Sequence, residues 1–342
     1  MSPTPEKPVK VVFGAMTFGR PGVEQARVND LQVAGSMLDL FRSHGHNEID
    51  TAQFYGLGSS EEYLGMLKWA DRGLAMATKF YPTANIVDPN APGGKGTTHC
   101  PEHLRENLLK SLKALQTEKI DLWYLHGPDR TTPYEVTLRE VNNLHKEGYF
   151  TRFGISNYMS WEVAQICEIC RRNGWIQPTV YQGLYNAIHR SVEQELFPCL
   201  RYYGISFYAY NPLAGGYLTD RYRRDIPNEE VEKGTRFDPT TFQGKAYRGR
   251  YWNDGAFEAL RILREAIKGH DLTEAECAFR WSMHHSLLRG DKGDAIIIGA
   301  SSIKQLEENL KCLEKGPLPE SIVKAFNQGW ERTRATSWKY WH

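Results

Sequence analysis

The sequence predicts a single α/β barrel of eight parallel strands, one domain spanning residues 1–342. Three observations predict it: short β-branched or aromatic runs alternate with longer helix-period runs, the strand-like runs number eight, and the glycine fingerprint of an open dinucleotide-binding sheet is missing. Taken in order, a valine-rich strand at 9–16 leads into a helix pattern at 30–42, closed near Gly45. A strand at 48–52 precedes Ser59-Ser-Glu-Glu62, which fits a capping box. Strand 74–80 and helix 102–115 follow, then strand 121–127 and helix 138–146, ending at Gly148. Strand 150–156 is followed by the amphipathic run 161–172 and Gly174, and strand 179–184 by helix 192–202 and Gly204. Strand 205–211, helix 257–268, a second capping box at Thr273-Glu-Ala-Glu276, strand 295–300 and helix 303–313 complete the series.

Strand followed by helix, repeated, argues a parallel sheet, and closure is its economical form. An open doubly wound sheet should carry G-x-G-x-x-G after an early strand, but Gly56-Leu-Gly58 is followed by Glu61 instead. A Walker pattern is absent too. Three connections exceed a simple joint: 81–98, 212–254 and the tail after Gly316. Long loops after barrel strands build the mouth of the site, although surface insertions are also tolerated there. The first loop contains Ala91-Pro-Gly-Gly-Lys-Gly96 and reads as mobile; the second carries several Arg and Tyr residues.

Composition bounds the function classes. With 42 basic against 41 acidic residues the net charge is +1, which gives no general reason to expect nucleic acid or a membrane as partner. A small molecule is the better expectation. No run of eighteen apolar residues occurs, and the opening Met-Ser-Pro-Thr-Pro-Glu-Lys lacks the regions of a signal peptide. Six scattered cysteines then imply reduced thiols in a cytoplasmic protein. Cys167-Glu-Ile-Cys170 has no second pair to complete a zinc site, so no metal is expected.

Chemistry gathers at the carboxyl ends of strands two to four. Asp50 ends the second, Tyr55 follows in the turn, Lys79 ends the third and His126 the fourth. Neighbouring strand ends of a barrel share one pocket. Any one of these alone reads as packing or a solvated strand end; the four together suit carbonyl reduction. As hydride reaches the carbonyl carbon, charge grows on oxygen and an acid must hand over a proton. Tyr55 would be that acid. A phenol with a pKa of about 10 needs a cation beside it, which Lys79 supplies and Asp50 would hold in place. His126 would orient the carbonyl oxygen.

These residues resemble the aldo-keto reductases. Gly45-His-Asn-Glu-Ile-Asp50-Thr-Ala-Gln-Phe-Tyr55 and Glu62-Tyr-Leu-Gly65 look like that family's first signature. Ser156-Asn157-Tyr, Thr179-Val-Tyr-Gln182-Gly, Phe207-Tyr-Ala-Tyr210-Asn-Pro-Leu-Ala-Gly-Gly216 and Gly299-Ala-Ser-Ser302-Ile-Lys-Gln305-Leu-Glu-Glu-Asn309 follow in family order. Ser160-Trp-Glu-Val, Gly174-Trp-Ile-Gln-Pro178 and Glu195-Leu-Phe-Pro-Cys199-Leu-Arg are similar to the aflatoxin-aldehyde reductase subfamily.

The resemblance implies NADPH/NADP+ as cofactor. Ser156, Asn157 and Gln182 would hold the nicotinamide carboxamide and Tyr210 would stack on its ring. Asn211, Pro212, Leu213, Gly215 and Arg221 would lie along the pyrophosphate. Gly299, Ser301 and Ser302 open a helix whose amino end suits a phosphate; Gln305 and Asn309 would project from its first turns, and Asn309 or Glu308 would read the adenine. Arg236 would reach the 2′-phosphate and favour NADPH over NADH. In that subfamily the Tyr and second Arg of a Tyr-x-x-Arg stretch face the substrate, here Tyr247 and Arg250.

Relatives acting on carboxylate-bearing aldehydes resemble the chain through Tyr340 but carry arginine where His342 stands. That departure, with Trp338, Tyr340 and Trp341 nearby, suggests an aromatic-walled pocket for bulky carbonyl compounds, in secondary metabolism or aldehyde detoxification. The resemblance also implies a homodimer. Two rivals stand beside the reductase: a cofactor-holding regulatory subunit of a membrane channel with little turnover, and a phosphate-binding barrel isomerase or aldolase.

Overall fold

The computed structural model describes residues 8–84 and 96–342, so residues 1–7 and residues 85–95, which include most of the glycine-rich run at 91–96, lie outside the described residues. Eight parallel strands close on themselves in sequence order. They are β1 Lys10–Gly14, β2 Glu48–Asp50, β3 Ala75–Phe80, β4 Ile120–Leu125, β5 Phe150–Ser156, β6 Pro178–Leu184, β7 Ser206–Tyr210 and β8 Ala295–Ile298. Around them run α1 Leu31–Ser43, α2 Ser59–Met66, α3 Pro101–Ala114, α4 Tyr134–Lys146, α5 Ser160–Asn173, α6 Leu196–Tyr203, α7 Phe242–Tyr251, α8 Asp254–Ile267, α9 Glu274–His284, α10 Ile303–Leu313 and α11 Glu320–Thr333. The (β/α)8 barrel expected from the sequence is the observed fold, with strands running as apolar stretches because both of their faces are covered.

Alternation along each strand divides the core. Phe13, Ile49, Met76, Trp123, Phe153, Phe207 and Ile296 face the helix layer. Val12, Ala77, Leu122, Tyr124, Val180, Tyr208, Ala295 and Ile297 fill the bore. Gly154 makes room there, since a Cβ on it would collide with the Tyr124 ring. Below, Arg152 donates to Asp121, Glu48 and the Tyr208 hydroxyl, and Lys10 joins Glu48 at 3.0 Å, a paired ionic plug at the amino ends of the strands.

Four local expectations need correction. Gly58, at φ 89°, occupies the N-cap of α2, and Ser59 turns its hydroxyl to the carbonyl of Gly56, so the Ser59–Glu62 box does not form. At α9 only half of the second box exists: Thr273 accepts from Glu276 N at 3.1 Å, while the Glu276 carboxylate goes to Arg280 and Lys315. The run 192–202 splits into a 3-10 turn at Ser191–Glu193 and α6, because Pro198 is tolerated only in a first helical turn. Finally, α7 lies inside the long 212–254 loop and α11 inside the supposed tail, where α11 packs along α8 with Gly329 against Ala259.

Candidate active site

Lys79 is fully buried near the carboxyl end of β3, a position that would be prohibitive without partners. It has them: its Nζ donates at 2.7 Å to Asp50 Oδ2, at 2.6 Å to the carbonyl of Thr51 and at 3.4 Å to the Tyr55 hydroxyl. Tyr55 is delivered by the turn after β2, a 3-10 turn in which Gly56 and Leu57 both take left-handed backbone, at φ 56° and 52°. His126 follows β4 directly and meets the Tyr55 ring edge-on, with centroids 5.8 Å apart. Asp50, Tyr55, Lys79 and His126 thus converge on one spot.

Burial governs their protonation. It raises the Tyr55 phenol well above its ordinary value, the Asp50 carboxylate adds to the rise, and the Arg236 guanidinium opposes it. The hydroxyl is therefore protonated, as the expected proton donor must be, and the ammonium beside it would meet the charge left as a proton departs. Lys79 itself is lowered by burial and restored in part by Asp50. Burial, then Lys79 and His342, hold His126 well below its usual range, so the imidazole is neutral and has one N–H to donate. Its Nδ1 is buried without a hydrogen-bond partner.

Asp50, Tyr55 and His126 line a cavity of about 980 Å³, with Lys79 buried behind them, at the upper end of the roughly 300–1,000 Å³ of ligand pockets. Ser156, Asn157, Gln182 and Tyr210 line it, as do Asn211, Pro212, Leu213 and Gly215 on the loop after β7. Arg221, Arg236, Tyr247 and Arg250 come from the long loop and α7; Gly299, Ser301, Gln305, Glu308 and Asn309 come from β8 and α10. Ser302 lies outside this cavity, its hydroxyl accepting from Gln305 N at 3.2 Å as the cap of α10. Asn157, at φ 66°, spends its amide internally, donating to the carbonyl of His126 at 2.8 Å and accepting from Tyr210 at 3.3 Å. Arg236 lines the cavity and donates to Asn211 Oδ1 at 2.8 Å. No carboxylate pairs with Arg236 or Arg250 among the described residues.

The donor set fits a dinucleotide. Two guanidiniums without carboxylates suit phosphates, Gly215 and Gly216 at φ 73° and 94° let backbone approach, and Ser156 and Gln182 in β5 and β6 suit a carboxamide. Arg27 and Gln25 also face the channel and were not anticipated; Gln25 Oε1 is buried without a partner.

The wall opposite Tyr55 differs from expectation. Trp338, Tyr340 and Trp341 do not line the cavity. Tyr340 turns away, donating its hydroxyl to Glu195 and accepting from Ser160 N at 3.0 Å, while His189 Nε2 lies 2.9 Å from the Trp338 carbonyl. These contacts carry His342 into the cavity, where it faces Tyr81 at 5.7 Å between ring centroids and donates its backbone N–H to the Asn157 carbonyl. Burial, with Arg250 and Arg130, drops its imidazole to about 4, so it is neutral. Phe54 and Tyr81 supply the aromatic surface. Tyr81 was findable: two residues past Lys79, it continues the same strand face.

A family model described as the Aldo/keto reductase family matches residues 10–331. An aldo-keto reductase of Pseudocercospora fijiensis is 53% identical over 304 residues, 89% of this chain and 99% of that protein. The aldo-keto reductase pigE of Monascus ruber is 47% identical over 340 residues, 99% of each chain. Human aflatoxin B1 aldehyde reductase member 2 is 43% identical over 334 residues, 96% of this chain and 89% of that one.

Proposed function

The chain belongs to the aldo/keto reductase family, and we propose from that premise that it uses NADPH to reduce bulky or aromatic aldehydes and ketones, with Tyr55 as the proton donor. As an oxidoreductase of this family it reduces carbonyl groups. The observation that carries the assignment of residues is the Lys79–Asp50 pair bonded beneath the Tyr55 hydroxyl at the floor of the cavity.

When bound, the reduced nicotinamide supplies hydride. The side chains do the rest: neutral His126 donates to the carbonyl oxygen and turns it toward Tyr55, and Tyr55 passes its proton to that oxygen as negative charge collects there. Lys79 offsets the phenolate left behind, and Asp50 keeps Lys79 charged against the cost of its burial. Tyr210 offers a flat face to the nicotinamide, with Ser156 and Gln182 at its carboxamide. Arg236, released from Asn211, turns to the 2′-phosphate, and Ser301, Gln305 and Asn309 take the adenosine end.

Phe54, Tyr81 and neutral His342 make the reacting end apolar and flat, which favours a ring-bearing carbonyl over a small acidic aldehyde. The relatives named for aflatoxin B1 aldehyde support the same class. A cytoplasmic homodimer in secondary metabolism or aldehyde detoxification is the setting we assign. Among the described residues no helix is long and apolar enough to cross a membrane.

The test is loss of NADPH absorbance with 4-nitrobenzaldehyde. Tyr55→Phe should lower kcat by about 10²–10⁴-fold, the usual worth of positioned proton transfer, while NADPH fluorescence titration stays unchanged. Turnover at the native rate in that variant would refute the assignment. A native protein that binds NADPH but consumes none with any aldehyde would be the regulatory relative instead.

A further inference from the structure

In a closed ring of eight strands β2 and β6 stand four apart, on opposite walls of the bore. One bond crosses between them at the level of the acid: Gln182 Nε2 donates to Asp50 Oδ1 at 2.8 Å. Both residues are almost completely buried, at 2% and 3% exposure. Lys79 occupies the other carboxylate oxygen, Oδ2, so two donors from different strands fix the plane of the carboxylate.

A competing donor lies close by. The Tyr124 hydroxyl is buried against Gln182 without a well-formed hydrogen bond, and its phenol is raised by burial and then by the charge of Asp50, with Gln182 opposing the rise. Without Gln182, Oδ1 would be a buried acceptor left empty, and Asp50 would gain by turning toward Tyr124. That rotation takes Oδ2 off Lys79, whose firm acceptors among the described residues are Asp50 and the Thr51 carbonyl.

We propose that Gln182 is a positioning residue for the acid: from the far wall of the barrel it holds Asp50 in the orientation that keeps Lys79 charged and aimed at Tyr55. The inference rests on the reading of Tyr55 as proton donor. It gives Gln182 a role within the protein itself, separate from any contact with the cofactor. The titratable groups facing Lys79 are Asp50, Tyr55, Tyr124 and His126 at the barrel mouth, and Glu61 of α2 from behind β3.

Three variants test it. Gln182→Met should lower kcat by about 10- to 100-fold, the span set by one hydrogen bond to a charged group, with a smaller change in NADPH fluorescence titration. In cofactor-free protein carrying ¹³C-lysine, NMR should show Lys79 losing its proton about one pH unit lower than in the native protein, the same tenfold expressed as proton affinity. Gln182→Glu replaces the donor only when protonated, so its kcat should recover as pH falls, whereas that of Gln182→Met should not. Gln182→Asn, too short to cross the bore, gives the same readouts if the Met variant does not fold.

Identical Lys79 titrations in native and variant proteins, or superimposable pH profiles for the Met and Glu variants, would overturn the proposal and leave Gln182 a cofactor contact. An inactive Tyr55→Phe beside a native-like Gln182→Met overturns this inference alone. A fully active Tyr55→Phe overturns the reading of the site and the inference together.

Discussion

Asp50→Asn should destabilise the fold by about 3–5 kcal/mol at neutral pH, the usual cost of removing one partner of a buried ion pair. The structure sets the scale from two directions. At 2.7 Å and an effective dielectric of about 20, the lost attraction is about 6 kcal/mol. Lys79, with no exposure, can avoid that loss by giving up its proton, which at pH 7 costs about 4.6 kcal/mol for an ordinary lysine near 10.4. The smaller figure is the ceiling. It also fixes the sign with pH: a lysine neutral in the fold and charged when unfolded binds fewer protons folded, so stability rises as pH rises. Relative to the native protein, the deficit should shrink by about 1.4 kcal/mol per pH unit from pH 7 up to the pH at which Lys79 of the native protein loses its own proton, which burial sets below the ordinary lysine value. Urea denaturation at pH 7, 8 and 9 reads it directly. A deficit below about 1 kcal/mol, or one that does not change with pH, would mean that Asp50 does not hold the charge of Lys79 and that the reasoning about the acid is wrong.

Other substitutions probe separate parts of the molecule. Gly154→Ala drives a Cβ into the Tyr124 ring and should cost about 1–3 kcal/mol by thermal or urea unfolding. Arg236→Ala should weaken NADPH binding more than NADH binding, by about tenfold or more for loss of a guanidinium–phosphate pair; equal loss for both cofactors in fluorescence titration counts against that role. His342→Arg places a guanidinium near Arg250 and Arg130, so kcat/KM should move toward carboxylate-bearing aldehydes and away from 4-nitrobenzaldehyde in a substrate panel.

All eight strands were legible because buried parallel strands read as apolar runs punctuated by glycine, and Gly45, Gly148, Gly174 and Gly204 do stop the chain in left-handed backbone. Two helices were not. Phe242–Tyr251 contains two glycines and owes its start to Thr241, whose hydroxyl accepts from Gly244 N, while Glu320–Thr333 has a readable apolar stripe that seemed mere tail. The convergence of Asp50, Tyr55, Lys79 and His126 followed from strand ends alone. Side-chain commitments across the bore did not: that Asn157 bonds to His126 and Tyr210, and Gln182 to Asp50, depends on partners tens of residues away. Aromatic content near the chain end was visible, but not that Tyr340 faces Glu195 while His342 faces the cavity.

Residues 338–342 belong to no strand or helix, yet they place one wall of the reacting chamber. The frame that aligns the acid and the segment that surveys the incoming molecule are thus written in different stretches of sequence. A lineage can revise which molecules it accepts by editing a few unstructured positions, leaving untouched the machinery that gives up the proton.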